Sequence, residues 1–138
     1  MLTEKDYCDY DTCVALKELG YKEKSNWWFN KFFNEDSGQM ELVHICDNPA
    51  HLNYDSWGVV PKDFVIRPTL YEAQKWLRDE KRIHIVLTYY SQMGWYEYSV
   101  KEDDNLIAEG SAFPTYEEAL STAIYMAVEY LKEEINGN

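Results

Sequence analysis

After Thr69 the apolar residues fall at Leu70, Ala73, Trp76 and Leu77; after Thr115 they fall at Leu120, Ala123, Ile124, Ala127, Val128, Leu131 and Ile135. Steps of three and four place each set along one stripe of an α-helix. The first stripe predicts a helix over 70–81. The second predicts a helix running to Ile135 and closed by the Asn-Gly-Asn at the end of the sequence. Both helices open alike, with PTLYE from Pro68 and PTYEE from Pro114. In each, Thr stands three residues before Glu: Thr69 with Glu72, and Thr115 with Glu118. This spacing predicts a capping box. The Thr hydroxyl accepts the amide of the third helical residue, and the Glu carboxylate reaches back to the Thr amide. The preceding Pro keeps the chain extended up to the helix start.

Between the helices the period changes from 3.6 to 2. Ile83, Ile85, Leu87 and Tyr89 alternate on one face of a strand, and Tyr96, Tyr98 and Val100 on one face of the next. SQMG links them as a hairpin with a suitable Gly, KEDDN makes a second turn, and LIAEGSAF is a third strand. The first half reads the same way. NWWFNKFF is a strand, NEDSG a turn, QMELVHIC a strand, and DFVIR a third strand running into Pro68. A leading helix, TCVALKELG, has Asp11 or Thr12 as its cap and Gly20 as its stop.

The expected fold is therefore α+β: antiparallel sheet with helices packed on one face, as a βββα order run twice after a short N-terminal helix. One compact body over 1–138 is expected. The repeat of the Pro-Thr start has two explanations. One is duplication of a βββα unit, with halves 21–81 and 82–136. The other is independent use of a common helix start. From the first box onward the order is α-β-β-β-α, which matches double-stranded-RNA-binding domains. Those domains need basic residues at the start of the last helix. Here Glu117 and Glu118 stand there, so the RNA function is not carried over.

The segments ALKELGY, RPTLYEAQKWLRDEKRIHI and YEEALSTAIYMAVEYL together resemble a family of small uncharacterised proteins from gut anaerobic bacteria, their phages and mobile elements. The resemblance spans most of the chain outside 47–61 and rests on helix stripes and caps. It implies no activity, cofactor or site. It implies an accessory role, such as a phage or host-interaction protein.

Charge narrows the partners. The 138-residue chain carries a net charge of −12. Residues 97–138 hold ten acids against Lys101 and Lys132, a local net of −8. Such a surface repels phosphate backbones and anionic lipid, so neither direct nucleic-acid binding nor membrane docking is expected. It suits solubility or a basic partner. MLTEKDYCDYD lacks the apolar core of a signal peptide, and no apolar run approaches the roughly 20 residues of a membrane span. A cytoplasmic location is expected. Three cysteines, Cys8, Cys13 and Cys46, are too few and odd in number for a disulfide scaffold.

Catalytic signals are weak. HICDNPAH brings His44, Cys46, Asp47 and His51 together in sequence, and with Cys8 and Cys13 these are the candidate ligands of a Cys3His zinc site. The separation of Cys8 from Cys13 does not match the close C-x2-C pairs of zinc knuckles. Cys46 with His44 or His51 and Asp47 has the residue types of nucleophilic catalysis, without its spacing. There is no G-x-S-x-G, P-loop or G-x-G-x-x-G. No cofactor and no enzymatic activity are expected. The acid pairs fill a turn at Glu102, Asp103 and Asp104, or begin and end the last helix.

The aromatics point elsewhere. Trp27, Trp28, Phe29, Phe32 and Phe33 crowd one strand; Tyr89, Tyr90, Trp95, Tyr96 and Tyr98 crowd the second hairpin. Alternation lets half of each set face the helices. The rest, including Trp28, Tyr90 and Trp95, either brace cross-strand pairs or meet a partner. The expected function is a non-catalytic protein-interaction module, binding a protein partner or itself through the sheet. The alternatives are an acidic mimic of nucleic acid that inhibits a DNA- or RNA-binding protein through Glu102, Asp103, Asp104 and the last helix, and a small enzyme or zinc protein using His44, Cys46 and His51. The segment 47–63 is longer than an ordinary connection and receives no element assignment.

Overall fold

The structure, a computed structural model, describes residues 2–23, 27–34, 36, 39–46 and 64–137. In chain order it contains a 3-10 turn at Glu4–Asp6, then α1 (Tyr10–Glu18), β1 (Trp27–Asn34), β2 (Gln39–Cys46), β3 (Phe64–Ile66), α2 (Leu70–Lys81), β4 (Ile83–Tyr90), β5 (Trp95–Glu102), β6 (Asn105–Phe113) and α3 (Tyr116–Asn136). This is the expected α+β order. The elements group into two compact units, Asp9–Pro68 and Met1–Cys8 with Thr69–Asn138.

In the unit Asp9–Pro68, α1 starts earlier than its apolar pattern suggests. Asp9, not Asp11 or Thr12, is the cap. Its backbone is still extended, and its carboxylate accepts the Thr12 amide at 2.9 Å. The stop at Gly20 is as expected, and its φ of 102° explains the glycine. There the Tyr21 amide donates to the Leu16 carbonyl at 2.9 Å and the Gly20 amide to the Lys17 carbonyl at 3.1 Å, a Schellman ending. The sheet has the order β2-β1-β3, antiparallel throughout, and α1 packs against β3. Phe29, on the central strand, is buried. The Tyr10 ring meets it edge-on at 5.4 Å, and the buried Arg67 guanidinium lies 4.9 Å from its centre.

In the second unit the strands form a plain meander, β4-β5-β6, also antiparallel. The recurrence between the halves thus lies in the order of elements and not in strand order, because the first strand is central in one sheet and the second in the other. Helix α3 contacts all three strands, while α2 packs on β4 and α3. The predicted stripes are the buried ones: Leu70, Ala73, Trp76 and Leu77 on α2, and Leu120 to Leu131 on α3. Ile135 is the exception, 66% exposed.

The two helix starts differ in detail. At α2 the box is complete: Thr69 Oγ1 accepts the Glu72 amide at 3.1 Å, and the Thr69 amide donates to Glu72 Oε1 at 2.8 Å. At α3 only the first bond forms, from the Glu118 amide to Thr115 Oγ1 at 3.1 Å. The backbone explains the difference. Thr69 has φ of −68° and Thr115 has φ of −130°, a rotation that re-aims the Thr115 amide. The N-terminal residues pack beside the first start: Tyr7 bridges to Thr69, and the buried Cys8 thiol points to the Thr69 carbonyl at 3.9 Å.

Candidate interaction surface

Alternation sorts the second sheet into two faces. Ile83, Ile85, Tyr98 and Val100 point toward the helices and are buried. The intervening residues of β4 and β5 form the other face, with cross-strand pairs His84 and Lys101, Val86 and Ser99, Thr88 and Glu97, and Tyr90 and Trp95. On β6, Glu109 pairs with Ser99 and Leu106 with Lys101, so both join this face. It remains open to solvent, with Val86 50% and Leu106 52% exposed.

At the hairpin end of that face Tyr90 and Trp95 stand opposite each other, with ring centroids 4.9 Å apart and planes inclined at 49°. The turn that joins them is set by two amides, Met93 at 3.1 Å and Gly94 at 2.8 Å, both donating to the Tyr90 carbonyl. Gly94 takes φ of 74°, as the expected SQMG turn requires. The Glu97 carboxylate near the Tyr90 hydroxyl raises the phenol's pKa above its ordinary value. Glu97, Glu109, Gly110 and Ser111, from β5 and β6, line a shallow depression of about 300 Å³. On the opposite, helix-side face another aromatic row runs from Tyr89 to Tyr96, 4.8 Å apart, and on to Tyr116 at 5.8 Å. Tyr89 shares the face of Ile83 and Ile85, yet it lies 54% exposed at the hairpin end.

At the far end of the sheet Glu102 closes β5, and Asp103 and Asp104 form the turn to β6, where Asp103 has φ of 54°. The Tyr130 hydroxyl of α3 lies 2.7 Å from Glu134 Oε1 and 3.0 Å from Glu102 Oε1. Two carboxylates thus converge on one phenol proton, and the Tyr130 pKa rises, first through Glu134 and then Glu102. A second shallow depression, about 350 Å³, is lined by Tyr130, Glu133, Glu134 and Gly137. The last turn of α3 has no basic residue.

The remaining candidates are placed as follows. Trp28 sits on β1 between Ile45 and Ile66 in the register; its side chain is outside the described residues, as are those of His44 and Cys46 on β2, and so is all of His51. Cys8 and Cys13 are buried and form no disulfide with each other. Among the described residues no group of three or more His, Cys, Asp or Glu side chains has a metal-holding arrangement, and no helix is long and apolar enough to cross a membrane. Sequence reading passed over Glu97, Glu109 and Ser111, although Glu97 lies one same-face step from Trp95. It also passed over Tyr130, whose role depends on a contact 28 positions away along the chain.

No known protein family, curated protein or solved structure matches the chain.

Proposed function

We propose that the chain is a non-catalytic protein-interaction module that binds a protein partner, or a second copy of itself, through the uncovered face of the β4–β6 sheet. The observation that carries this reading is the Tyr90–Trp95 pair, in tilted contact with centroids 4.9 Å apart on a face the helices leave open, with Tyr90 41% exposed. Large aromatics supply most of the binding energy at protein interfaces, because they bury much area with little rotamer entropy. Exposed Val86 and Leu106 extend the apolar part of the face. A net charge of −12 selects partners with complementary positive charge and disfavours nucleic acid and anionic membrane. The cytoplasm is the proposed location, and an accessory role on a phage or mobile element fits such a module. The test is capture of partners from a lysate by immobilised protein, at low and high salt, alongside its own sedimentation behaviour. Trp95→Ala and Tyr90→Ala should abolish the association found. Retention of every association by both variants would overturn the sheet-face reading.

A second reading rests on a separate observation. Tyr130 draws Glu102 and Glu134 onto one hydroxyl, beside Asp103, Asp104 and Glu133. An array of this kind resembles the charge of a nucleic-acid backbone and suits an inhibitor of a DNA- or RNA-binding protein. Its binding should fall steeply with salt and survive Trp95→Ala. Indifference to salt would sink it.

A further inference from the structure

The depression lined from β5 and β6 carries more than a generic docking face. Its two carboxylates, Glu97 and Glu109, come from adjacent strands and project on the same side, because Glu97 shares the face of Ser99 and Ser99 pairs with Glu109. Among the described residues neither has a cationic partner; the ion pairs there join Lys75 and Arg78 to Asp79, and Lys132 to Glu129. Lys101, on the same face, is about 13 Å along β5 from Glu97 and two positions from Ser99, which stands opposite Glu109, and forms no ion pair with either carboxylate. The Glu97 carboxylate is near enough to the Tyr90 hydroxyl to raise the phenol's pKa, and both Glu97 and Glu109 keep lone pairs for further donors. Glu97 is about 7 Å, one same-face step, from Trp95. Glu97 thus lies one same-face step from the ring pair, and Glu109, opposite Ser99, lies one step further along the same face.

We propose that this corner of the sheet is a receptor for an arginine side chain of a protein partner, with the guanidinium held by Glu97 and Glu109 and its stem and plane lying against Tyr90 and Trp95. The inference rests on the reading of this face as a docking surface and names what it docks. Charge complementarity selects a cation. The ring pair selects one that is weakly hydrated and stacks well, which arginine does better than lysine. The planar fork of N–H donors satisfies two carboxylates at once. A depression of about 300 Å³ is at the lower limit for a drug-sized ligand, and suits a single side chain better.

The test uses a capped Gly-Gly-Arg-Gly-Gly peptide titrated into the full chain, followed by NMR, with the citrulline peptide as an uncharged control of the same shape. The arginine peptide should shift the Trp95 indole N–H and the Glu97 and Glu109 side-chain signals, and the citrulline peptide should not. Glu97→Gln and Glu109→Gln should each weaken binding about fivefold, as expected for loss of one exposed charge contact to a stacked cation. Glu133→Gln, at the far acidic end, should leave it unchanged. Equal shifts with citrulline, no shift at Trp95, or equal weakening by Glu133→Gln would overturn the proposal. Amide spectra of each variant establish that it is folded. If the arginine peptide does nothing while Trp95→Ala still abolishes capture of a partner, the arginine receptor falls and the docking surface stands. If Trp95→Ala changes neither, both fall.

Discussion

A Cβ placed on Gly110 would stand 2.6 Å from Cε1 of Tyr98. Tyr98 is buried on the helix side of the sheet, and its ring lies over β6, with Phe113 5.6 Å away. The glycine is there to make room and has an ordinary φ. Two residues on, beside an irregularity in the β5–β6 register, Ala112 takes φ of 69°. Gly110→Ala should therefore destabilise the protein by about 1–3 kcal/mol through overpacking. Ala112→Gly should gain roughly 0.5–1 kcal/mol, since the left-handed cost for alanine exceeds the entropy cost of glycine. Urea unfolding measures both. A Tyr98→Ala background should remove most of the Gly110→Ala penalty, because the two residues share one contact.

The two helix starts make a second, internally controlled comparison. Thr69 both accepts from and donates to Glu72, whereas Thr115 only accepts from Glu118. Thr69→Ala and Thr115→Ala should each cost about 1 kcal/mol for the lost cap. The glutamates should separate the sites. Glu72→Ala should cost a further measurable amount, about 0.5–1 kcal/mol for a charge-assisted bond at a half-buried start, and Glu118→Ala close to nothing. Equal losses for the two glutamates would contradict the one-sided cap at α3.

This comparison also marks how far the sequence could be read. The stripes and alternation give every strand and α-helix of the second unit, because periodicity reports which face is covered; the 3-10 turn at Glu4–Asp6 is too short to have a period. The cap at Asp9 was missed because Asp9, Asp11 and Thr12 are all good caps, and only the backbone at Asp9 decides among them. Ile135 continues a perfect helical stripe but is exposed, and the stripe alone does not reveal where a neighbour ends. The placement of exposed Tyr90 and half-buried Trp95 on the uncovered face followed from alternation. The carboxylates on that face required the register: Glu109 joins the site only because it stands opposite Ser99. Tyr130, shared by Glu102 and Glu134, depends on tertiary contact and leaves no local trace.

The Asp6–Tyr71 pair predicts a pH profile. Asp6 is buried at the N-terminal turn and accepts the Thr3 amide at 2.8 Å and the Tyr71 hydroxyl at 3.0 Å. The Thr3 amide first, and then the Tyr71 hydroxyl, hold its pKa below the ordinary 3.8. Burial first, and then Asp6, push Tyr71 up to about 12. A depressed acid contributes stability that is present above the ordinary carboxylate range and lost as pH falls through it. A raised phenol contributes stability that is full below pH 10 and lost between about 10 and 12. Unfolding free energy should therefore be flat from about pH 5 to 9 and decline on both sides. Tyr71→Phe should reduce both declines without removing either, since Thr3 still serves Asp6 and Tyr130 and Tyr98 also have raised pKa values. Superimposable profiles for the two proteins would show that the pair does not couple to folding.

The acidic end of α3 sets stability against charge. Glu133 and Glu134 lie in the last turn of the helix, where the dipole is already negative and which holds no basic residue. Glu134 and Glu102 both approach the Tyr130 hydroxyl, so like charges are held together there. Glu133→Lys should stabilise the protein by about 0.3–1 kcal/mol, by reversing an unfavourable interaction with the helix end and its acidic neighbours. The gain should shrink as salt is raised, because these groups are exposed and screened within about 10 Å at 0.1 M. Thermal melts of both proteins at low and high salt give the comparison. The same variant divides the functional readings. A partner that binds the acidic end should be lost with Glu133→Lys, whereas one seated on Tyr90, Trp95, Glu97 and Glu109 should be retained. A stabilised variant that still captures its partner would place the binding energy at the hairpin end of the sheet and leave the acids of α3 to solubility.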